Sequence, residues 1–171
     1  MRIHIFGGPG SGKTTLASSL SKKLNIRCYD LDYFRFKDSD LNYTLFEDDI
    51  VRDKKLGNVL SKKAWITEGS YSEFAWPCFV KADLIIFLKK SFMKTSFRIL
   101  KRFFYHKLGI KKRHKPELWR NLLRLLRWNY EFTYNRLPKM KNKLKKLDNK
   151  VIYIKSKKDF NFLFSKLNIK N

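Results

Sequence analysis

Residues 7–14 read Gly-Gly-Pro-Gly-Ser-Gly-Lys-Thr, which fits the phosphate-binding pattern GxxxxGK[ST]. A phosphate chain wrapped by backbone N–H groups leaves no room for bulky side chains and requires left-handed backbone. Gly7, Gly8, Gly10 and Gly12 supply both, and Pro9 and Ser11 complete the loop. A helix starting at the loop's end points its N-terminal dipole at the anion. In that geometry Lys13 reaches the β- and γ-phosphates, the Thr14 hydroxyl ligates Mg²⁺, and Thr15 lies near the α-phosphate. The expected cofactors are ATP and Mg²⁺. A β-branched run directly before the loop and an amphipathic run directly after it separate this reading from a chance glycine-rich turn.

Phosphoryl transfer also needs carboxylates, to hold Mg²⁺ through water and to take a proton from an attacking hydroxyl. In open parallel α/β sheets, ligands bind beyond the carboxyl ends of the strands. Three acidic residues fall there: Asp30 and Asp32 in Tyr-Asp-Leu-Asp-Tyr, and Glu68 in Trp-Ile-Thr-Glu-Gly. Glu68 is assigned to the Mg²⁺ side. Asp32 or Asp30 is assigned to the acceptor, as base or as a clamp on its hydroxyl. The competing reading is that one of the pair caps the next element.

Charge that develops on the transferred phosphoryl is neutralised best by arginine. Arg98 and Arg102 are four apart and share a helix face, and Arg120, Arg124 and Arg127 make a second stripe. Between them lie Lys107, Lys111, Lys112 and Arg113. Two basic helices joined by a basic loop would form a cover that excludes water. The alternative is a solvated face opposite Leu118, Leu122, Leu125 and Leu126. The interleaved aromatics (Phe103, Phe104, Tyr105, Trp119, Trp128, Tyr130, Phe132) suit base stacking, or core at helical spacing. His4 reads as a packed strand residue. His106 and His114 lack metal-ligand spacing.

These groups need a scaffold. Nearly continuous apolar runs at residues 3–6, 26–29, 64–67, 84–88 and 151–154 predict strands buried on both faces. Helical patterns fall at 13–24, 45–60, 92–104, 117–134 and 158–167. The alternation predicts an α/β fold with a parallel sheet. Segments 33–63 and 106–116 read as excursions from it.

The chain has 171 residues, enough for one domain, and 43% of them are hydrophobic. That composition excludes a disordered chain. No apolar run approaches the ~20 residues of a membrane span, and no membrane partner is expected; nucleic acid could bind through the basic surface. The first residues run straight into the glycine loop, unlike a signal peptide. Two cysteines, Cys28 and Cys78, with no CxxC pair exclude a disulfide framework and a zinc finger, and they suggest a reducing, cytoplasmic setting. The net charge is +24, and residues 101–150 hold 17 basic against 3 acidic residues. Such an excess attracts nucleotides, nucleic acid or acidic membrane surfaces. The frequent Lys, Asn, Ile and Phe also fit an AT-rich coding sequence.

The run IHIFGGPGSGKTTLASSLSKKLNIRCYDLDYF resembles the N-terminus of adenylate-kinase-like P-loop proteins, in particular the DNA topology modulation (FlaR-type) group. The runs WITEGSY, KADLIIFLKKS and RILKRF are similar to that group too, so the resemblance covers most of residues 1–105. It implies one nucleoside-monophosphate-kinase-like domain over 1–171. Its five-stranded parallel sheet would be ordered 2-3-1-4-5, with helices on both faces. Residues 33–63 would then bind the acceptor, 103–120 would form a basic lid, and 155–157 would back onto adenine. Adenylate kinases carry Asp-Gly-x-Pro-Arg after the third strand. Here Glu68-Gly69-Ser70-Tyr71 stands instead, without the arginine that grips an acceptor phosphate. Arg35 or Arg52 could take that place.

The leading expectation is an ATP-dependent kinase for a nucleotide or another small hydroxyl or phosphate acceptor. Lys13, Asp32, Arg98 and Arg102 would be catalytic, and Asp30, Asp32 and Arg35 would face the acceptor. A nucleic-acid-binding P-loop protein that uses ATP is the alternative. A nucleotide binder without catalysis is the third reading.

Overall fold

The computed structural model describes residues 1–37, 45–71, 73–109 and 119–169. Five strands form one sheet: β1 Arg2–Gly7, β2 Cys28–Asp30, β3 Trp65–Gly69, β4 Leu84–Leu88 and β5 Val151–Ile154. Every pairing is parallel, and the order is β2-β3-β1-β4-β5, as expected. β1 lies in the middle, so the loop leaving its carboxyl end sits over the centre of the sheet.

Side chains alternate across the sheet. Ile3 and Ile5 join Ile66, Ile86 and Leu88 on one face, covered by Leu16 and Leu20 of α1 (Lys13–Leu24) and by Leu163 of α8 (Lys157–Lys166). Phe6, Trp65, Ile85 and Phe87 face the other way. They pack with Phe79 of α4 (Trp76–Lys81), Leu56, Val59 and Leu60 of α3 (Asp49–Leu60), and Met140 and Leu144 of α7 (Leu137–Lys145). A third, smaller cluster of Ile99, Phe103 and Leu122 joins α5 (Phe92–Lys107) to α6 (Trp119–Glu131).

The structure shifts several boundaries. The second strand lies at Cys28–Asp30, not 26–29, because Ile66 N pairs with Arg27 O and the ladder then runs to Asp30 against Glu68. The helix expected over 45–60 begins at Asp49. Asp48 caps it, its Oδ1 accepting from Ile50 N and Val51 N, and Phe46 pairs instead with Phe36 in an isolated antiparallel bridge. α5 runs three residues past 104, to Lys107. The helix expected to reach 134 changes at Phe132 into a π turn, Phe132–Arg136, that leads into α7. Residues 38–44 of the expected acceptor region, and 110–118 of the expected lid, lie outside the described residues. So do Lys111, Lys112, Arg113 and His114, and the side chains of Trp119 and Arg120. The short helices α2 (Asp32–Arg35) and α4, and helix α7, were not foreseen. The first two are below the length at which helical periodicity is readable.

Candidate active site

The glycine loop joins β1 to α1, and its shape depends on what glycine lacks. Gly10 has φ +69, and a Cβ there would stand 2.9 Å from the Thr95 carbonyl oxygen of α5. Gly12, the N-cap of α1, has φ +100 and open space where a Cβ would project. No side chain caps this helix, so its first N–H groups have no side-chain acceptor. That is a cradle for an anion at a helix N-terminus.

Lys13 is buried, and its Nζ donates to Gly8 O at 3.0 Å, folding back along the loop. Burial pulls its pKa down, opposed by the charges of Glu68, Asp32 and Asp30. Thr14 Oγ1 donates to Glu68 Oε1 at 2.6 Å, although the two are 54 residues apart in sequence. A hydroxyl beside a carboxylate at the loop's mouth is a hard-oxygen donor set. It suits Mg²⁺, which is usually held by one or two carboxylates plus substrate phosphates. These residues therefore fit the expected metal, with Thr14 and Glu68 as its protein side. Thr15 is exposed in the first turn of α1. Ser11 Oγ is buried without a hydrogen-bond partner.

The carboxylates converge because parallel register places them together. Asp30 pairs with Glu68 across β2 and β3. Asp30 Oδ1 accepts from Asp32 N at 2.9 Å, so it also performs the local turn job considered above. Burial and then the charges of Asp32 and Glu68 raise the Asp30 carboxyl to about 8. Burial raises Glu68 too, against the pull of Lys13 and of the Thr14 hydrogen bond. Raised carboxyls at Asp30 and Glu68, gathered with Asp32 around the buried Lys13, are a site-like arrangement.

Two contacts here escaped the sequence reading. Tyr71 OH donates to Asp32 Oδ1 at 2.6 Å, orienting that carboxylate. Ser70 Oγ donates to Gly7 O at 2.8 Å, tying the segment after β3 to the glycine loop. Both residues belong to the Glu68-Gly69-Ser70-Tyr71 run at the end of β3. Their own signal was only that they follow a strand-end carboxylate.

The arginines divide. Arg98 Nη1 lies 3.4 Å from Ser11 O, so α5 brings a guanidinium to the loop. Arg102 is close enough to Lys13 to oppose its protonation. Arg35 stacks over Phe46 at 4.8 Å and Tyr71 at 5.1 Å, beside the residue that holds Asp32. Arg52, the other residue considered for the missing phosphate grip, pairs with Asp49 and Asp53 on its own helix. Arg124 leans along its own helix to Asn121 Oδ1, and Arg127 is exposed. Of the interleaved aromatics, Phe103 and Phe132 are core, whereas Phe104 and Tyr130 are exposed. In the expected adenine-side loop, Lys155 N and Ser156 N both donate to Asp159 Oδ2, capping α8.

Behind the loop, a buried polar residue that sequence reasoning missed fixes α6 to α5. Asn129 Nδ2 donates to Thr95 Oγ1 at 2.9 Å and to Ser96 Oγ at 3.0 Å. The π turn then sets Phe132 under Gly8, where a Cβ would come within 2.9 Å of its ring. His4 is a core residue, as expected. Its Nδ1 sits 2.9 Å from Thr67 Oγ1, and burial lowers its pKa to about 3. Cys28 and Cys78 are free thiols, both raised to about 12 by burial, which makes them poor nucleophiles. Among the described residues no cluster of three or more His, Cys, Asp or Glu could hold a metal by itself, and no helix is long and apolar enough to cross a membrane.

Comparison with known proteins places the fold. No family model matches the chain. An adenylate kinase from Wigglesworthia glossinidia brevipalpis is 38% identical over 66 residues, 37% of this chain and 31% of that protein. The matched part thus spans about a third of that relative's length. Deoxyadenosine kinase from M. mycoides, solved with bound dATP, superposes with a TM-score of 0.54 at 20% identity, covering 98% of this chain and 99% of that one. A sugar kinase from Janibacter sp. gives 0.55 at 14% identity, covering 98% and 94%. A gluconokinase from Sinorhizobium meliloti gives 0.52 at 13%, covering 90% and 81%. The chain therefore has the fold of P-loop nucleoside and sugar kinases.

Proposed function

We propose that this protein is an ATP-dependent phosphotransferase acting on a hydroxyl of a small molecule. The observation that carries the reading is the convergence of Lys13, Thr14 and Glu68 with the Asp30–Asp32 pair at the carboxyl ends of β1, β2 and β3. Residues 7–15 would cradle the triphosphate, with Lys13 leaving Gly8 O to meet the β- and γ-phosphates. Thr14 and Glu68 would hold Mg²⁺, which when bound neutralises phosphate charge.

The acceptor side favours an alcohol over a phosphate. A phosphate nucleophile is already anionic, needs no base, and would face the acidic cluster around Asp32. An alcohol must lose a proton, and a positioned carboxylate takes it. Asp32, held by Tyr71, accepts that proton as the acceptor oxygen bonds to the γ-phosphorus. The bond from the γ-phosphorus to the β–γ bridging oxygen breaks, and ADP leaves. Arg98 and Arg102 on α5 stabilise the charge on the phosphoryl in flight. Arg35, on its aromatic shelf beside Tyr71, orients the acceptor.

The test is ADP formation from Mg-ATP across nucleosides, sugars, nucleoside monophosphates and a 5′-hydroxyl oligonucleotide, with Lys13→Ala alongside. Turnover on an uncharged hydroxyl acceptor, lost in Lys13→Ala, supports the reading. Absence of any stimulation, with ATP still bound, overturns it. A second reading, a nucleic-acid-binding protein using ATP, is favoured by the +14 excess over residues 101–150. It requires oligonucleotide affinity that falls with salt at a slope of about −0.7 per phosphate contacted.

A further inference from the structure

Helix α5 has two working faces. Thr95, Ile99 and Phe103 face inward, toward the glycine loop and α6. On another face Met93, Phe97, Leu100, Phe104 and Leu108 are all solvent-exposed, between 36% and 74%. Their spacing of four, three, four and four confines them to an arc of about 80° and a stripe about 22 Å long. Single exposed apolar residues are ordinary, but a continuous stripe of this kind marks an interaction surface.

The charges around the stripe indicate what covers it. Lys94 and Lys101 flank one side and Lys107 the other, and α5 contains no acidic residue. Two copies meeting along this stripe would bring like-charged rows together in a chain that already carries +24. Nucleic acid would use the lysines and could stack bases on Phe97 and Phe104, but it leaves Met93, Leu100 and Leu108 without an apolar partner. An anionic lipid surface satisfies both features. Apolar side chains enter the boundary between headgroups and acyl chains, and lysines meet the lipid phosphates. This mode needs no membrane-spanning helix.

We infer that the exposed face of α5 is a docking surface for anionic membranes, seating the protein at the lipid–water interface with α5 parallel to it. The same helix carries Thr95 and Arg98 against the glycine loop, so the bound protein would hold its phosphate site close to the lipid surface.

The test is co-sedimentation with two kinds of vesicle, phosphatidylcholine alone and phosphatidylcholine with about one third phosphatidylglycerol. The inference expects binding to the anionic vesicles that weakens with salt and is at least about tenfold weaker on neutral ones. In the Phe97→Ser/Phe104→Ser variant, binding to anionic vesicles should drop about tenfold or more, because the two rings no longer leave water. Both residues are exposed, and an unchanged circular dichroism spectrum and unchanged ATP binding show that the variant folds. Three results would overturn the inference. One is no pelleting with anionic vesicles. Another is pelleting that the variant leaves unchanged, which would make the contact purely ionic. The last is a concentration-dependent dimer in sedimentation velocity that the variant abolishes, which would assign the stripe to a second copy.

Discussion

Replacing Asp30 by Asn should make the protein more stable, and more so the higher the pH. The Asp30 carboxyl is raised from 3.8 to about 8, chiefly by burial and then by Asp32 and Glu68. In the unfolded chain it releases its proton near pH 4, whereas in the folded chain it keeps it until about 8. Between those values the folded state binds the extra proton, so folding stability falls as pH rises and levels off above 8. At 1.36 kcal/mol per pH unit the ceiling is about 6 kcal/mol. Partial exposure and sharing of charge with Asp32 relieve much of this, leaving about 2 kcal/mol. Asn retains the side-chain oxygen that accepts from Asp32 N, so the turn survives while the charge goes. Urea unfolding at pH 4 and at pH 8 reads the effect. The two proteins should be nearly equal at pH 4, with the variant ahead by about 2 kcal/mol at pH 8, or roughly 5 °C in thermal midpoint. A gap that is the same at both pH values, or a variant less stable at pH 8, would refute the electrostatic account. Turnover should fall in the same variant, since a strained acid cluster exchanges stability for function.

Five other changes test the site and its scaffold. Asp32→Asn should lower turnover by about a hundredfold or more while ATP affinity, read by calorimetry, stays within a few-fold. Tyr71→Phe removes one hydrogen bond to Asp32 and should lower turnover less than Asp32→Asn, with the lost activity moving the pH profile rather than the apparent affinity for ATP. Gly10→Ala should weaken nucleotide binding sharply, because left-handed backbone and a carbonyl 2.9 Å away both oppose a Cβ; Gly57→Ala, in mid-helix with open space around it, should raise stability by up to about 1 kcal/mol. His4 titrates near 3 when folded and 6.5 when unfolded, so acidification from 6.5 toward 3 should cost about 1.4 kcal/mol per pH unit. His4→Leu should flatten that slope in denaturant titrations.

Much of this was legible because it depends on local pattern. Glycines at 7, 8, 10 and 12 followed by Lys13 and Thr14 declare a phosphate loop, and buried parallel strands declare themselves by unbroken β-branched and aromatic runs. The convergence of Glu68 with Thr14 followed from one topological inference, that the third strand neighbours the first. Tyr71 was invisible because its role is a contact with a residue 39 positions away, and an exposed tyrosine would read the same in sequence. Asn129 was hidden among arginines and leucines. Only the α5–α6 crossing buries it on Thr95 and Ser96. Arg52 looked available, whereas its helix neighbours Asp49 and Asp53 engage it. The π turn at Phe132 has no periodic signature either, since the pattern is helical on both sides of it.

Transfer of label from γ-labelled ATP shows whether the phosphoryl group moves to an alcohol. The purified protein would be incubated with Mg²⁺ and a nucleoside or sugar identified by acceptor-dependent ADP release, and the products separated. The expected result is label on the acceptor hydroxyl as a phosphate monoester, one ADP for each, and none of either with Lys13→Ala. Label found only as inorganic phosphate, or an equal yield from Lys13→Ala, would contradict it.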